Sequence, residues 1–143
     1  MVTKVVPTGE VDVSGLPVRP GESPWTLAEV DAIREELVEE LRRIEQEVAT
    51  LRTAIDQVMR DSGDGAGDDT ADTGSKAFER EQSMTLLANT RETLFQTRAA
   101  LTRIGSGTFG VCESCGEAIG KARLQAFPRA ALCVSCKQRQ ERR

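Results

Sequence analysis

The four cysteines of this chain form two identical pairs near its C-terminus, and no other feature constrains the fold as strongly. The pattern is Cys112-x2-Cys115 followed by Cys133-x2-Cys136. A structural Zn²⁺ ion is held in a tetrahedron by four ligands, and a two-residue gap lets one tight turn direct two thiolates at the same ion. The spacing therefore predicts one Zn²⁺ bound by all four cysteines. Gly116 suits the left-handed backbone that such a turn tends to need.

The ligand set predicts a structural zinc site and not a catalytic one. All four cysteines are used and the chain contains no histidine, so no obvious coordination position remains for an activated water. Two disulfides, or a redox-active Cys-x-x-Cys motif, would use the same residues. Zinc is favoured because the sequence shows neither a signal peptide nor the alternating strands and helices of a thioredoxin-like domain. We expect a cytoplasmic protein that is not an enzyme.

Composition and charge restrict the folds and the binding partners that are possible for this chain. Only 38% of the residues are hydrophobic, with four Phe, one Trp and no Tyr, which predicts an elongated molecule without a large core. Residues 1–104 carry 12 basic and 20 acidic side chains, whereas residues 105–143 carry 7 and 3. A body this acidic argues against binding duplex DNA, which requires several phosphates to be neutralised. No run of apolar residues predicts a membrane segment.

Turn-forming residues and heptad patterns divide the chain into three parts. Residues 1–24 contain four Pro and three Gly without helical periodicity, which predicts a flexible N-terminal arm. Residues 25–104 are predicted to form an antiparallel coiled-coil hairpin. Residues 105–143 are predicted to form a four-cysteine zinc finger followed by a short C-terminal helix. The expected fold class is mainly α.

Two heptad patterns carry the hairpin prediction. Thr26 and Glu29 have the spacing of a capping box at the start of the first helix. Its seam comprises Val30, Leu37, Ile44, Leu51 and Val58, with a second row of Leu27, Leu41, Val48 and Ile55 that Arg34 interrupts. The thinner second pattern comprises Leu87, Leu94 and Leu101, joined by Phe78, Met84 and Ile104.

Between the two patterns, residues 61–74 hold five Asp and four Gly, which predicts an acidic tip loop. This loop could be a solvated linker. A calcium loop would place Asp68, Thr70, Asp72 and Glu79 at ligand positions, but Thr73 stands where the EF-hand turn requires Gly. A third interpretation makes the carboxylates a probe that the hairpin carries into a partner's cleft, and the length of the two helices favours it.

The finger and the hairpin together resemble the DksA/TraR family. The finger resemblance rests on the run from Gly110 to Gly120, Gly-Val-Cys-Glu-Ser-Cys-Gly-Glu-Ala-Ile-Gly, and on Arg123-Leu, Pro128 and the second cysteine pair followed by Lys137. The hairpin, with Asp69-x2-Asp72 at its turn, is similar in layout. The spacing also occurs in GATA-type DNA-binding fingers, but here the segment between the pairs has no Trp and only three basic residues.

The resemblance implies a regulator that binds bacterial RNA polymerase and inserts its coiled coil through the secondary channel, without sequence-specific DNA binding. It implies that Asp69 and Asp72, assisted by Asp68, act at the tip, and that Arg123 and Lys137 contact the alarmone ppGpp at the polymerase interface. The chain departs from the family pattern with Gly74 at the tip and with Gln96 and Phe127 where basic residues are expected. We expect a monomer.

Two other functions stay open from the sequence. A coiled-coil adaptor would pair its Val30-to-Val58 seam with a helix of another protein. A GATA-like finger would read duplex DNA. Within the family resemblance, rescue of paused polymerase by the same tip is a further alternative.

Overall fold

The computed structural model describes residues 11–63 and 70–142, apart from the side chains of residues 62, 63 and 70–73. These residues are mainly helical, which confirms the predicted fold class. The four helices are α1 (Leu27–Gly63), α2 (Thr70–Ser106), α3 (Lys121–Ala126) and α4 (Val134–Glu141). Within the described ranges, the one isolated pairing of extended backbone joins Val111 to Ala118. None of the described helices is both long and apolar enough to span a bilayer.

Local sequence signals set the outer ends of the two long helices. The Thr26 amide donates to Glu29 Oε1 at 2.9 Å, and the Glu29 amide donates to Thr26 Oγ1 at 3.2 Å, so the predicted capping box is confirmed. At the end of α2, the Gly107 amide bonds the Ile104 carbonyl and the Thr108 amide bonds the Arg103 carbonyl. Gly107 has φ 77°. These features make a Schellman motif, which ends the helix.

The inner ends of the long helices differ from the prediction. Helix α1 continues to Gly63 and α2 begins at Thr70, so both extend into the segment 61–74 that the composition predicts to be a loop. A single Gly costs a helix about 1 kcal/mol, and acidic residues in a first turn interact favourably with the helix dipole. The Gly and Asp content of residues 61–74 therefore opposes helix formation less strongly than the loop prediction assumes. Residues 64–69 lie outside the described residues.

The chain divides into two compact units, residues 1–40 with 96–143 and residues 41–95. The start of α1 and the end of α2 belong to the first unit, while the end of α1 and the start of α2 belong to the second. In the second unit, the hydroxyl of Thr90 on α2 donates to the Leu86 carbonyl at 2.8 Å and lies 3.5 Å from the carboxylate of Glu47 on α1.

The buried face of α2 is more polar than predicted. Its successive inward positions alternate at three- and four-residue steps and are Leu87, Thr90, Leu94, Thr97, Leu101 and Ile104. Thr90 and Thr97 are buried, although the apolar pattern makes them interruptions of the stripe. Phe78 and Met84 are predicted to join the stripe, but they are 67% and 54% exposed, because Met84 lies about 60° around the helix from Leu87 and Phe78 lies on the face opposite Leu87.

The seam of α1 is largely confirmed, with two changes near its start. Val30, Leu37, Ile44 and Ile55 are buried. Leu27 is 51% exposed, whereas Ile33, which lies outside the predicted rows, is buried. Glu29, one turn before Ile33, bonds Lys121 and Gln125, so the finger also packs against this face of α1.

Residues 11–24 are not the flexible arm that the sequence predicts. Leu16 and Trp25 are buried, and the Trp25 ring lies 5.8 Å from the Phe109 ring at the start of the finger. The Trp25 indole N–H donates to the Pro17 carbonyl at 3.3 Å. Prolines stiffen an extended segment as readily as they mark a disordered one, and the buried apolar groups order this one.

Candidate metal centre

The first cysteine pair is held by a tight turn. The Cys112 amide bonds the Glu117 carbonyl at 2.8 Å, and the Gly116 amide returns to the Cys112 carbonyl at 3.0 Å. Gly116 has φ 78°, which confirms the left-handed backbone expected there and which a side chain would strain. The isolated Val111–Ala118 bridge closes the turn. Cys112 is buried and Cys115 is exposed.

The second pair lies at the start of a helix. Cys133 is the N-cap of α4 and Cys136 is in its first turn. The Cys133 amide donates to Cys112 Sγ at 3.3 Å, which ties the two pairs together. Both positions suit thiolates, because the first amides of a helix carry partial positive charge.

The four sulfurs have the spacing of a tetrahedral zinc site. All four Sγ atoms lie within 4.8 Å of one another, and Cys115 Sγ is 3.8 Å from Cys133 Sγ. Zn–S bonds of about 2.3 Å in a tetrahedron place neighbouring sulfurs about 3.8 Å apart. A disulfide needs about 2.05 Å, and all four cysteines are free. The geometry and the donor set therefore fit one structural Zn²⁺ bound by Cys112, Cys115, Cys133 and Cys136.

The pKa values of the two thiols in the first cysteine pair are shifted in opposite directions. Burial by itself would raise the pKa of Cys112, but hydrogen bonds from the amides of Cys115, Cys133 and Ser114 outweigh it and lower the pKa to about 6. At Cys115 the Glu117 amide lowers the pKa, yet burial and the three neighbouring sulfurs outweigh it and raise the pKa to about 11. A cluster of four thiolates repels itself, so a divalent cation is what allows all four to ionise.

A small apolar core supports the site. Phe109, Ile119 and Leu124 are at most 2% exposed. Helix α3 carries Leu124, and its first turn is also in contact with the N-terminal segment. The side chain of Glu22 accepts hydrogen bonds from the amides of Lys121 at 3.1 Å and Ala122 at 3.3 Å.

A buried lysine joins the finger to the start of α1, and sequence reasoning missed it. Lys121 is 8% exposed. Its ammonium group lies 2.8 Å from the Glu29 carboxylate, 3.2 Å from Ser23 Oγ and 3.4 Å from the Pro24 carbonyl. It also lies 5.5 Å from the centre of the Trp25 ring. The one available signal was a lysine close to two apolar finger positions, Ile119 and Leu124.

The acids that contact Lys121 make stability depend on pH. The side-chain hydrogen bond from Lys121 and the Thr26 amide lower the pKa of Glu29, and the Arg19 and Lys121 amides lower the pKa of Glu22. The unfolded chain therefore binds more protons than the folded chain just below the ordinary glutamate pKa. This contribution is complete above the unfolded pKa, about 4.3, and is lost as the pH falls through the lower folded values.

We therefore expect the melting temperature to fall as the pH drops below the ordinary glutamate pKa of about 4.3, because these carboxylates then protonate more readily in the unfolded chain than in the folded one. Glu29→Gln should be less stable than wild type at pH 7 and should show a shallower fall. Glu36→Gln, which changes an exposed acid on α1, is the control. Thermal melts followed by circular dichroism measure the effect. Parallel curves for wild type and Glu29→Gln would contradict it.

The remaining predicted site residues are the two basic residues of the finger and the acids of the tip. Arg123 donates from Nε to the Leu132 carbonyl at 3.1 Å, and its guanidinium lies 5.8 Å from the centre of the exposed Phe127 ring. Lys137 is exposed and its ammonium group lies 3.4 Å from Gln140 Oε1. Asp68 and Asp69 lie outside the described residues. Asp72 lies in α2, and its side chain is not among those described.

Comparisons with known proteins find similarity both in the finger and in the long helices. The model of the prokaryotic DksA/TraR C4-type zinc finger matches residues 107–142. A solved structure of the transcription factor DksA2 from Pseudomonas aeruginosa matches with a TM-score of 0.66 at 28% identity, covering 81% of this chain and 85% of that chain.

Curated relatives carry the name RNA polymerase-binding transcription factor DksA. The relative from Caulobacter vibrioides is 37% identical over 75 residues, which is 52% of this chain and 53% of the relative. The relative from Escherichia coli K12 is 35% identical over 89 residues, or 61% and 59%. The alignments thus span between half and three-fifths of the length of these relatives. With its four clustered cysteines and its two long helices, the chain is similar to the DksA proteins, and its residues 107–142 match the DksA/TraR C4-type zinc finger.

Proposed function

We propose that this protein binds bacterial RNA polymerase and regulates transcription without catalysing a reaction. The observation that carries the proposal is the match of 52–61% of this chain to curated relatives named RNA polymerase-binding transcription factor DksA. The zinc site supports it, because a closed four-cysteine centre holds structure and offers no open position for chemistry.

The proposed mechanism places the acidic segment at the end of the helices inside the secondary channel of the polymerase. Asp69 and Asp72, with Asp68 beside them, would bring several negative charges close to the catalytic Mg²⁺ ions. Interactions between charges in a narrow cleft are much stronger than in bulk water. The carboxylates would thereby change the stability of short-lived promoter complexes.

A ppGpp contact by Arg123 and Lys137 forms a secondary part of the proposal. Lys137 is exposed and able to reach a phosphate. The Arg123 guanidinium already contacts the Leu132 carbonyl through Nε and the Phe127 ring, which leaves its terminal nitrogens for a ligand. Binding of ppGpp to polymerase complexes that contain Arg123→Ala or Lys137→Ala, compared with the wild-type complex, measures this contribution.

The tip is tested by Asp69→Asn combined with Asp72→Asn. These changes remove two charges at nearly constant size, so we expect polymerase affinity to change by less than about threefold while the regulatory effect falls by about tenfold or more, a factor equivalent to about 1.4 kcal/mol. In vitro transcription and binding to core polymerase are measured in parallel.

The matched control is Glu39→Gln combined with Asp56→Asn, which removes two charges from exposed positions of α1. It should leave regulation unchanged. A tip variant that regulates as well as wild type would reduce the acidic segment to a linker. Wild-type protein that does not bind core polymerase at all would refute the proposed function.

A further inference from the structure

Residues 16–25, which we call the N-terminal clasp, cross the finger at two points where its backbone carries no side chain. Gly110 has φ 90°, and a Cβ atom placed there would lie 3.7 Å from the Pro17 carbonyl oxygen. Gly120 has φ 111°, and a Cβ atom there would lie 2.9 Å from Arg19 Cδ, which is shorter than a van der Waals contact. The clasp therefore fits closely against the folded finger.

Hydrogen bonds hold the middle of the clasp to the start of α3. The Glu22 carboxylate accepts from the amides of Lys121 and Ala122 at 3.1 and 3.3 Å, and the first amides of a helix have no partner within it. The Lys121 ammonium group in turn donates to Ser23 Oγ at 3.2 Å and to the Pro24 carbonyl at 3.4 Å. These donors have the required positions only while α3 is folded.

The parts of the finger that the clasp contacts depend on the metal for their own order. Trp25 packs on Phe109, three residues before the first ligand. The Gly110 carbonyl accepts from the Ile119 amide at 2.8 Å, and this hydrogen bond spans the first cysteine pair. Helix α3 lies between the two pairs. Since a module with so small a core folds together with its metal, we expect both attachments to be lost when Zn²⁺ leaves.

The clasp also lies beside the ligands themselves. Residues 17–20 form part of the wall of a cavity of about 440 Å³, and Cys115 and Cys133 lie in the same wall. Pro17 and Pro20 limit the conformations that are open to the released segment. Closing the clasp therefore costs less entropy than closing a glycine-rich segment of the same length.

A different arrangement would keep the clasp ordered without the finger. Trp25 stands two residues before α1, so the helix by itself could hold the segment in place. However, the Trp25 ring packs on Phe109, and the hydrogen bonds described above for residues 22–24 lead to the finger. These contacts favour an order that depends on the finger.

We infer that the clasp closes on the finger only when Zn²⁺ is bound, and that its closure raises the affinity of the finger for the metal. Coupling between two binding events is reciprocal: if Zn²⁺ favours closure by some factor, closure favours Zn²⁺ binding by the same factor. The clasp thereby links the metal centre to residues 100 positions earlier in the sequence. This inference does not depend on polymerase binding.

The first measurement follows the clasp when zinc is removed from the full-length protein. Trp25 is the one tryptophan of the chain, so its fluorescence reports on the clasp directly. Chelation should shift the emission to longer wavelength. It should also abolish the protection of the Glu22 amide, which bonds the Arg19 carbonyl at 3.0 Å, together with the protection of α3. Adding Zn²⁺ back should reverse both changes.

The second measurement is the affinity for Zn²⁺, obtained by competition with a chromophoric chelator at equilibrium. Glu22→Ala removes the acceptor for both α3 amides and should weaken zinc binding by about fivefold or more. Glu22→Gln keeps one acceptor oxygen and should lose less. Glu36→Ala, which removes an exposed acid from α1, is the control for charge and should bind zinc within about twofold of wild type.

Three results would overturn the inference. Protection of the Glu22 amide that survives while α3 loses its own would mean that α1 alone orders the clasp. Equal zinc affinities for Glu22→Ala and Glu36→Ala would show that closing the clasp does not affect metal binding. A finger that keeps its protection after complete removal of zinc would remove the premise, and with it the coupling.

Discussion

Removal of zinc is expected to unfold residues 107–142 while the helices of residues 41–95 stay folded. The finger buries only a few large side chains, and a structural zinc ion contributes on the order of 10 kcal/mol of apparent binding free energy to modules of this kind. Cys133→Ser should have the same effect as chelation, because it removes one of the four thiolate ligands. Near neutral pH, no apolar contact in the finger is large enough to replace the metal.

Amide hydrogen exchange measures this result residue by residue. Protection should disappear from α3 and α4 and persist in α1 and α2 within residues 41–95. Ser114→Ala, which changes an exposed residue between the first two ligands, is the control and should keep both zinc and protection. Protein purified without chelators that contains no zinc, or a finger still protected after chelation, would contradict the prediction.

Trp25→Ala is expected to lower the free energy of unfolding of the first unit by about 3–5 kcal/mol, the usual cost of truncating a buried large aromatic side chain. Trp25 is 3% exposed and contacts Phe109, the Pro17 carbonyl and the Lys121 ammonium group. Its removal leaves a cavity between the N-terminal segment and the finger. Urea denaturation followed by circular dichroism measures the change.

Trp25→Phe separates packing from hydrogen bonding. It keeps an aromatic ring against Phe109 but removes the indole N–H that reaches Pro17, so we expect a loss of about 1 kcal/mol for the hydrogen bond, in addition to a small packing term. A Trp25→Ala variant as stable as wild type would show that the contacts of Trp25 with Pro17 and Phe109 contribute nothing to the stability of the first unit.

The zinc site could be predicted from the sequence because its geometry is local. Two turns, each fixed by hydrogen bonds within a few residues, supply two ligands apiece, and Gly116 marks the turn that needs a left-handed backbone. The capping box at Thr26 was predictable for the same reason. Each cysteine turn and the capping box depend on residues at most five positions apart, which a linear pattern records.

The predictions that were wrong concern features that depend on the surroundings in the folded protein and not on a local pattern. Thr90 and Thr97 were predicted to interrupt the apolar stripe, yet both occupy the seam. A threonine can be buried at a heptad position when its hydroxyl bonds a carbonyl of the preceding turn, as the Thr90 hydroxyl bonds the Leu86 carbonyl. The N-terminal segment was predicted to be disordered because the contacts that order it, made through Glu22, Trp25 and Lys121, join residues far apart in the sequence. No short window of sequence contains those contacts.

The distance in sequence between Glu22 and the finger has a consequence for synthesis. Glu22 caps the amide of Ala122, 100 residues later, and Trp25 packs on Phe109. During translation at about 5–20 residues per second, the N-terminal segment therefore waits about 5–20 s for the partner that buries it. The finger leaves the ribosome after both long helices, and it then both acquires the metal and closes over the segment made first. A nascent chain truncated before residue 107 would leave Trp25 in contact with water.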